Sequence, residues 1–301
     1  MSASETCIPF EIWQAQRLRH IERVRAFTSD RVSRASLSVP HPVYDFLFTY
    51  YSFRPSHLER WSPGADVVVA DHPSAEIDWR DDAQRVGEGW VIPSSLFPRH
   101  RGKFLQWCIT YLSNIAERTP SFSCFGLHEW AMVYRTDEVR HSQVPLRVSH
   151  EEVASVVESL GLRCSHYDAF RFFTPEAVPL NREGLSRENT PLHDQRACIH
   201  VTMDLYKYAY KVAPWCPSEL VADAFLLAAA ARAIDMRASP YELSSFGFEP
   251  ICVETPEGRQ LYVQEQRNLA EQAVPIRTRL LDLYRRLHAA TDESAQRHEG
   301  F

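Results

Sequence analysis

The sequence predicts a mainly α fold: a single helical domain over residues 1–301, with a few short strands or hairpins and flexible ends at about 1–8 and 292–301. Three observations lead there. Glycine is scarce at 10 residues and proline plentiful at 19, which suits helices punctuated by rigid turns better than a glycine-rich nucleotide fold. Several stretches place apolar residues at helical spacing between capping and stop residues. No repeat, low-complexity tract or glycine-rich linker divides the chain, and 45% hydrophobic residues among 301 suffice for one large core.

Along the chain, residues 10–33 read as an amphipathic, Arg-rich helix with Ile12, Leu18, Ile21 and Val24 as its apolar positions. In "VPHPVYDFLFTYYSFRPSHLERWSPG" two prolines around His41 mark a rigid entry, and Tyr44, Phe48 and Tyr51 share a helical face. "ADVVVADH" is strand-like, and residues 74–102 read as loops. "KFLQWCITYLSNIAE" is helical through Phe104, Trp107, Tyr111 and Ile115. "SHEEVASVVESLG" is the clearest local signal. Ser149 and Glu152 form a capping box, a valine stripe follows, and Gly161 stops the helix. "LRCSHYDAFRFF" then reads as a strand whose apolar face carries His166 and Asp168, while Arg163 and Arg171 take the other face. "LNREGLSRENTPLHDQRA" is a polar loop, and "CIHVTMDLYKYAYKV" a helix ended by Pro214. "PSELVADAFLLAAAARAIDM" is apolar on most sides and reads as a central buried helix. "PICVETPEGRQLYVQ" suggests a hairpin around Pro256, Glu257 and Gly258. A tail helix over 268–290 is expected to break at Pro275, with "DESAQRHEGF" fraying.

Composition bounds the partners. A net charge of −6 argues against nonspecific DNA binding, which needs a basic excess to neutralise phosphates. Seven scattered cysteines, odd in number and without a C-x-x-C pair, exclude a zinc ribbon and a secreted disulfide framework. The N-terminus lacks a signal-peptide pattern, and "AFLLAAAARAI" is too short to span a bilayer and carries Arg232. The chain therefore reads as soluble and cytoplasmic, with no membrane partner.

Four segments can carry chemistry. His166 and Asp168, alternate residues on a strand, can reach one metal ion together; the bland reading is a hydrogen-bonded pair in the core. On the helix 198–212, His200, Asp204, Lys207 and Lys211 share a face by i, i+4, i+7 and i+11 spacing, which fits either a carboxylate held ionised or a solvated salt-bridged face. In "SCFGLHEWAMVYR", His128 and Glu129 sit among aromatics, as in a pocket wall. Met132 occupies the second histidine position of H-E-x-x-H, so the zinc-protease motif fails. "RHSQVPLR" offers Arg140, His141, Gln143 and Arg147 to an anion or a base edge, or is an ordinary polar loop. G-x-G-x-x-G, P-loop, G-x-S-x-G and zinc-deaminase motifs are absent, which removes dinucleotide, NTP, α/β-hydrolase and deaminase chemistry.

Six of these segments, "HPVYDFLFTYYSFRPSHLERWSPG", "FGLHEWAMVYR", "HSQVPLR", "SHYDAFRFFTPEAVPLN", "MDLYKYAYKVAPW" and "DMRASPYEL" with the following "PICVET", together resemble a bacterial family carried under the label 3-methyladenine DNA glycosylase, from about Pro40 to Leu287. The resemblance implies a shared fold and pocket, a purine-like base as substrate and a place in DNA repair. The chain departs from helix-hairpin-helix glycosylases: its one G-x-G, Gly87-Glu88-Gly89, lies in an acidic loop, so no residue carries over from them.

Three functions stay open. The first is a hydrolase, an N-glycosidase acting on a modified purine in DNA or a nucleoside. It would need no cofactor, would use Asp168, Glu129 or Asp204 as the carboxylate that stabilises the cationic sugar, and would bind substrate through Tyr44, Tyr51, Trp130, Tyr167, Phe170, Arg171, Tyr206 and Lys207. A duplex substrate would add a basic groove from Arg140, Arg147, Arg163 and Arg171. The second is a metal-dependent oxygenase or hydrolase holding iron, manganese or zinc on His128, His166, Asp168 and His200. The third is a non-catalytic small-molecule-binding module.

Overall fold

The computed structural model describes residues 7–75, 77–137 and 143–296, the side chains of 293–296 excepted. It is mainly α. The helices are α1 (Phe10–Ser36), α2 (Phe46–Thr49), α3 (Pro55–Leu58), α4 (Gly102–Glu117), α5 (Leu127–Ala131), α6 (His150–Leu160), α7 (Tyr167–Phe170), α8 (Thr190–His193), α9 (Ile199–Lys211), α10 (Ser218–Arg237) and α11 (Pro256–Gln296). No helix among the described residues is long and apolar enough to cross a membrane.

Helix α10 is the hub. Ala222, Ala224, Ala228, Ala229 and Ala231 are buried around its circumference, and their small side chains let α9, α11 and α1 approach closely. Helix α9 has its most extensive packing on α10, and α11 packs on α4, α9 and α10. On α1 the buried positions are Trp13, His20, Val24 and Thr28, whereas Ile12 and Leu18, expected to face inward, are more than half exposed. The inward choice goes to side chains that find partners: Trp13 donates to the Ala70 carbonyl at 3.0 Å and stacks on Trp61, and the His20 ring meets the Leu58 carbonyl at 2.8 Å.

Residues 74–102 are less irregular than the sequence suggests. They hold β2 (Gln84–Val86) and β3 (Gly89–Val91), which join β1 (Val69–Ala70) in an antiparallel sheet ordered β1-β3-β2, with Val69 opposite Trp90 and Gln84 opposite Val91. The capping-box helix forms as read: the Ser149 side chain accepts from the Glu152 amide, and Gly161 follows the last turn with φ of 68°. All seven cysteines are free thiols.

Two expectations near the C-terminus are corrected. Pro256 begins α11 instead of turning a hairpin: the Thr255 hydroxyl accepts from the Gly258 amide at 3.0 Å, and Pro and Glu occupy the first helical positions, where a missing N–H and a negative charge are both favourable. Nor does Pro275 break the helix. It is solvent-exposed, so the carbonyl that loses its partner can be hydrated while the opposite face stays packed. Fraying was expected from 292; the helix continues to Gln296, and the remaining residues lie outside the described ones.

Gly258 has no room for a side chain. A Cβ there would sit 1.9 Å from the Cys252 carbonyl oxygen, a backbone atom. Gly258→Ala is expected to destabilise the protein by ~2–3 kcal/mol, the cost of forced overpacking, measured by urea unfolding. A change below about 0.5 kcal/mol, the usual effect of a neutral surface substitution, would show that this helix start shifts freely.

Candidate functional site

Two adjoining cavities of about 450 and 340 Å³ open at the junction of α9 with the segments around α2 and α7. They share Tyr50, Tyr51, His166, Asp168 and Asp204 as walls. The outer cavity adds Trp107, Tyr111, Tyr167 and Tyr208 as aromatic walls, with Arg171, Arg187, Lys207 and Lys211 as cations. The inner one adds Glu129, Met132, Phe172, His200 and Arg232.

The stretch 162–172 is not one strand. Leu162 bridges to Asn181, whose side chain accepts from the Cys164 amide and donates to the Cys164 carbonyl. At His166 the backbone turns into α7, with Phe170 N–H bonding to the His166 carbonyl at 3.0 Å. His166 is the extended residue before α7 and Asp168 lies in its first turn, so the two do not alternate along one strand, yet both reach the walls of the same two cavities. Ala169 and Phe170 take the buried side, and the Asp168 side chain is left 28% exposed at the cavity wall.

Asp168 is ringed by donors: Arg171 Nε at 3.2 Å, Lys207 Nζ at 3.9 Å and the Tyr50 hydroxyl. Burial alone would raise its pKa, but the Tyr50 hydrogen bond and the Lys207 charge outweigh it and the net shift is downward. Asp204 is buried, accepting from Tyr51 Oη at 3.1 Å and Lys207 Nζ at 2.9 Å. For Lys207 burial works against the ammonium, yet the Asp204 charge and hydrogen bond leave its pKa raised. Burial, with Asp204 and Asp168 nearby, pushes Tyr50 up, so its phenol stays protonated and donating.

Behind these groups runs a row of imidazoles. The His166 and His200 rings stack at 5.2 Å, and His200 meets the His128 ring edge-on at 4.3 Å. A buried carboxylate closes each end. Asp194 contacts His166 Nδ1 at 3.0 Å and accepts from the Tyr111 hydroxyl at 2.5 Å, while Asp235 Oδ1 lies 2.8 Å from His128 Nε2. Burial would lower the His166 pKa, but the Asp194 charge and hydrogen bond reverse it to a net rise. His200 goes the other way: burial, then the neighbouring His128, push it well down. For Asp235, burial is outweighed by His128 and Arg232, which hold its carboxyl well below the ordinary range.

Glu129 faces the inner cavity but is tied to Arg232 Nη1 at 2.9 Å, and the same nitrogen reaches Asp235 Oδ2 at 2.6 Å. Trp130, expected to stack on substrate, is fully buried, with its indole on the Ala238 carbonyl and Arg147 over its ring. Tyr206 packs between Tyr51, Phe53 and Phe225, and Tyr44 against Phe27, His41 and Phe248; neither lines either cavity. Phe170 is likewise in the core, against Phe173. Tyr51, Tyr167, Arg171 and Lys207 do line the outer cavity.

Of the metal set expected from sequence, His128 and His200 lie together, while Asp168 and His166 have other partners. Asp168 belongs to Lys207 and Arg171, and His166 to Asp194. Among the described residues, His128, His200 and Asp235 are the group that offers three donor atoms to one point, all within 4.8 Å of one another. Of the arginines expected to build a basic groove, Arg171 lines the outer cavity. Arg147 is clamped on Glu254 through both terminal nitrogens at 2.5 and 2.8 Å, and Arg140 lies outside the described residues.

Asp194, Arg232 and Asp235 are site residues that the sequence reading missed. A signal existed for the last two: a charged i, i+3 pair inside an Ala-rich buried helix must find partners. Asp194 gave none, because it sits in a polar segment where an aspartate is unremarked. Compared with models of known protein families, with curated proteins and with solved structures, the chain matches none of them.

Proposed function

We propose that the chain is an N-glycosidase taking a modified purine nucleoside into the outer cavity. The observation that carries this reading is Asp168: a half-buried carboxylate, held ionised, in the wall of an aromatic cavity of about 450 Å³. Cleaving a glycosidic bond develops positive charge on the sugar ring, and a fixed carboxylate stabilises it. Trp107, Tyr111, Tyr167 and Tyr208 supply faces for a flat base. Asp204 holds Lys207 in place and Lys207 in turn positions Asp168. His166, with Nδ1 committed to Asp194, has Nε2 left to protonate the departing base. In the step itself the C1′–N bond breaks with its electron pair going to the base, which takes a proton from His166, and water adds to C1′, its released proton returning to His166. The family resemblance of the segments that carry Tyr50, Tyr51, Tyr167, Asp168 and Lys207 points the same way.

The cations at the cavity wall, Arg171, Arg187 and Lys211, suit one anionic group better than a duplex backbone, and the net charge of −6 agrees. The test is chromatographic detection of free base from methylated purine nucleosides and nucleotides and from a 3-methyladenine-containing duplex, at low and high salt. Release from the small substrates is expected, with weak salt dependence. Release from duplex alone, falling steeply with salt, would move the substrate to DNA. No base release from any of them would end the glycosidase reading.

A further inference from the structure

We infer that His128, His200 and Asp235 form a binding site for one divalent first-row transition-metal ion, beside the inner cavity and on residues other than those proposed for base release. The three donors come from α5, α9 and α10, so the site exists only in the folded chain. Their donor atoms lie within 4.8 Å of one another, close enough for small side-chain movements to bring all three to a common ion at about 2.0–2.2 Å.

The second observation concerns hydrogen bonding. His128 Nε2 and Asp235 Oδ1 are 2.8 Å apart as an ion pair, and neither atom makes a hydrogen bond of good geometry. Both side chains are at least nine-tenths buried. Buried polar atoms left unsatisfied in pairs are rare, because each costs the desolvation it does not recover. Two donor atoms at this separation can both meet one ion at about 2.0–2.2 Å. The far oxygen of Asp235 is already held by Arg232 at 2.6 Å, the outer support that orients a ligating carboxylate. Glu129 and Asp235 carry two negative charges and Arg232 offsets one, so the cluster keeps a net negative charge that favours a cation.

Two imidazoles and one carboxylate are the nitrogen and oxygen donors suited to iron, manganese, cobalt or zinc. Three protein ligands leave coordination positions open, as in catalytic sites and unlike closed structural ones. His200 also lines the inner cavity, so an open position there can meet a small ligand. Cys124, Cys164 and Cys198 line a small cavity of about 20 Å³ on the other side of His128 and His200, and they are the alternative donors a test must separate.

The experiment uses the full chain after chelator treatment, titrated with Co(II) and followed by visible absorption, then loaded with Cu(II) for pulsed electron paramagnetic resonance. One Co(II) per chain is expected, with ligand-field bands, no thiolate charge-transfer band, and displacement by Zn(II). Two coordinated imidazoles are expected on Cu(II), a count that needs no variant. His200→Gln should weaken Co(II) binding at least 10-fold, and His57→Gln, outside both cavities, should not. No saturable binding, a thiolate band, any other imidazole count, or wild-type affinity in a folded His200→Gln protein would each overturn the assignment. Base release is scored separately, so the metal site and the glycosidase reading can fail independently.

Discussion

Replacing Asp168 by Asn is expected to lower the rate of base release by ~10²–10³-fold, the usual loss when one preorganised electrostatic contact to a transition state is removed. The substitution keeps size and shape and removes only the charge. The melting temperature should move by less than about 3 °C, because the side chain is 28% exposed and ion pairs of that kind contribute little to stability. KM should change much less than kcat, since the charge opposite Asp168 develops only as the bond breaks. The pH profile gives an independent check. The folded-state pKa of Asp168 is depressed, so activity is present above the ordinary carboxylate range and is lost only as pH falls through the lowered value. His166 is shifted upward, so its acid form persists above the ordinary imidazole pKa and is lost as pH rises through the raised value. Asp168→Asn should erase the acid limb and keep the alkaline one. A variant whose turnover drops only in step with its stability would make Asp168 a structural partner of Arg171 and Lys207.

What the sequence could and could not reveal divides along the range of the forces involved. Helices α4, α6, α9 and α10 are legible because their apolar stripes and stop signals are local. That His128, Glu129, His166, Asp168, His200 and Asp204 approach one place is also legible, since polar groups within apolar patterns must have a partner. Which partner each takes is not local. The extended reading of 162–172 fails because alternation and a short helix look alike over four residues, and the bridge from Leu162 to Asn181 ends the extended run before Asp168. Tyr44, Trp130 and Tyr206 looked like pocket walls since an aromatic packed in the core has the same local pattern as one facing a cavity. Thr255 reads equally as turn residue or helix cap, and the choice is made by the packing of α11 on α4, α9 and α10.

Arg232→Met is expected to cost about 3–5 kcal/mol of stability, since it leaves buried charge without its counter-ion. Arg232 is 2% exposed and is the cation that Glu129 and Asp235 share, through contacts of 2.9 and 2.6 Å from one nitrogen. Burial opposes its charge, but the two carboxylates reverse that and raise its pKa, so it stays a guanidinium. Methionine fills comparable volume and can still pack on Phe46, over which the guanidinium carbon now sits at 4.4 Å. The loss therefore reports electrostatics more than a cavity. Adding Glu129→Gln to Arg232→Met should recover part of it, because removing both members of a buried pair is far less costly than removing one. Urea unfolding of the two single variants and the double variant closes the cycle, with a coupling of ~1–3 kcal/mol expected for groups in one network. A single variant within about 1 kcal/mol of wild type, the range of exposed ion pairs, would mean that water reaches Glu129 and Asp235 through the inner cavity. The imidazole row would then lie in a wet site, with its carboxylates stabilised by solvent in place of Arg232.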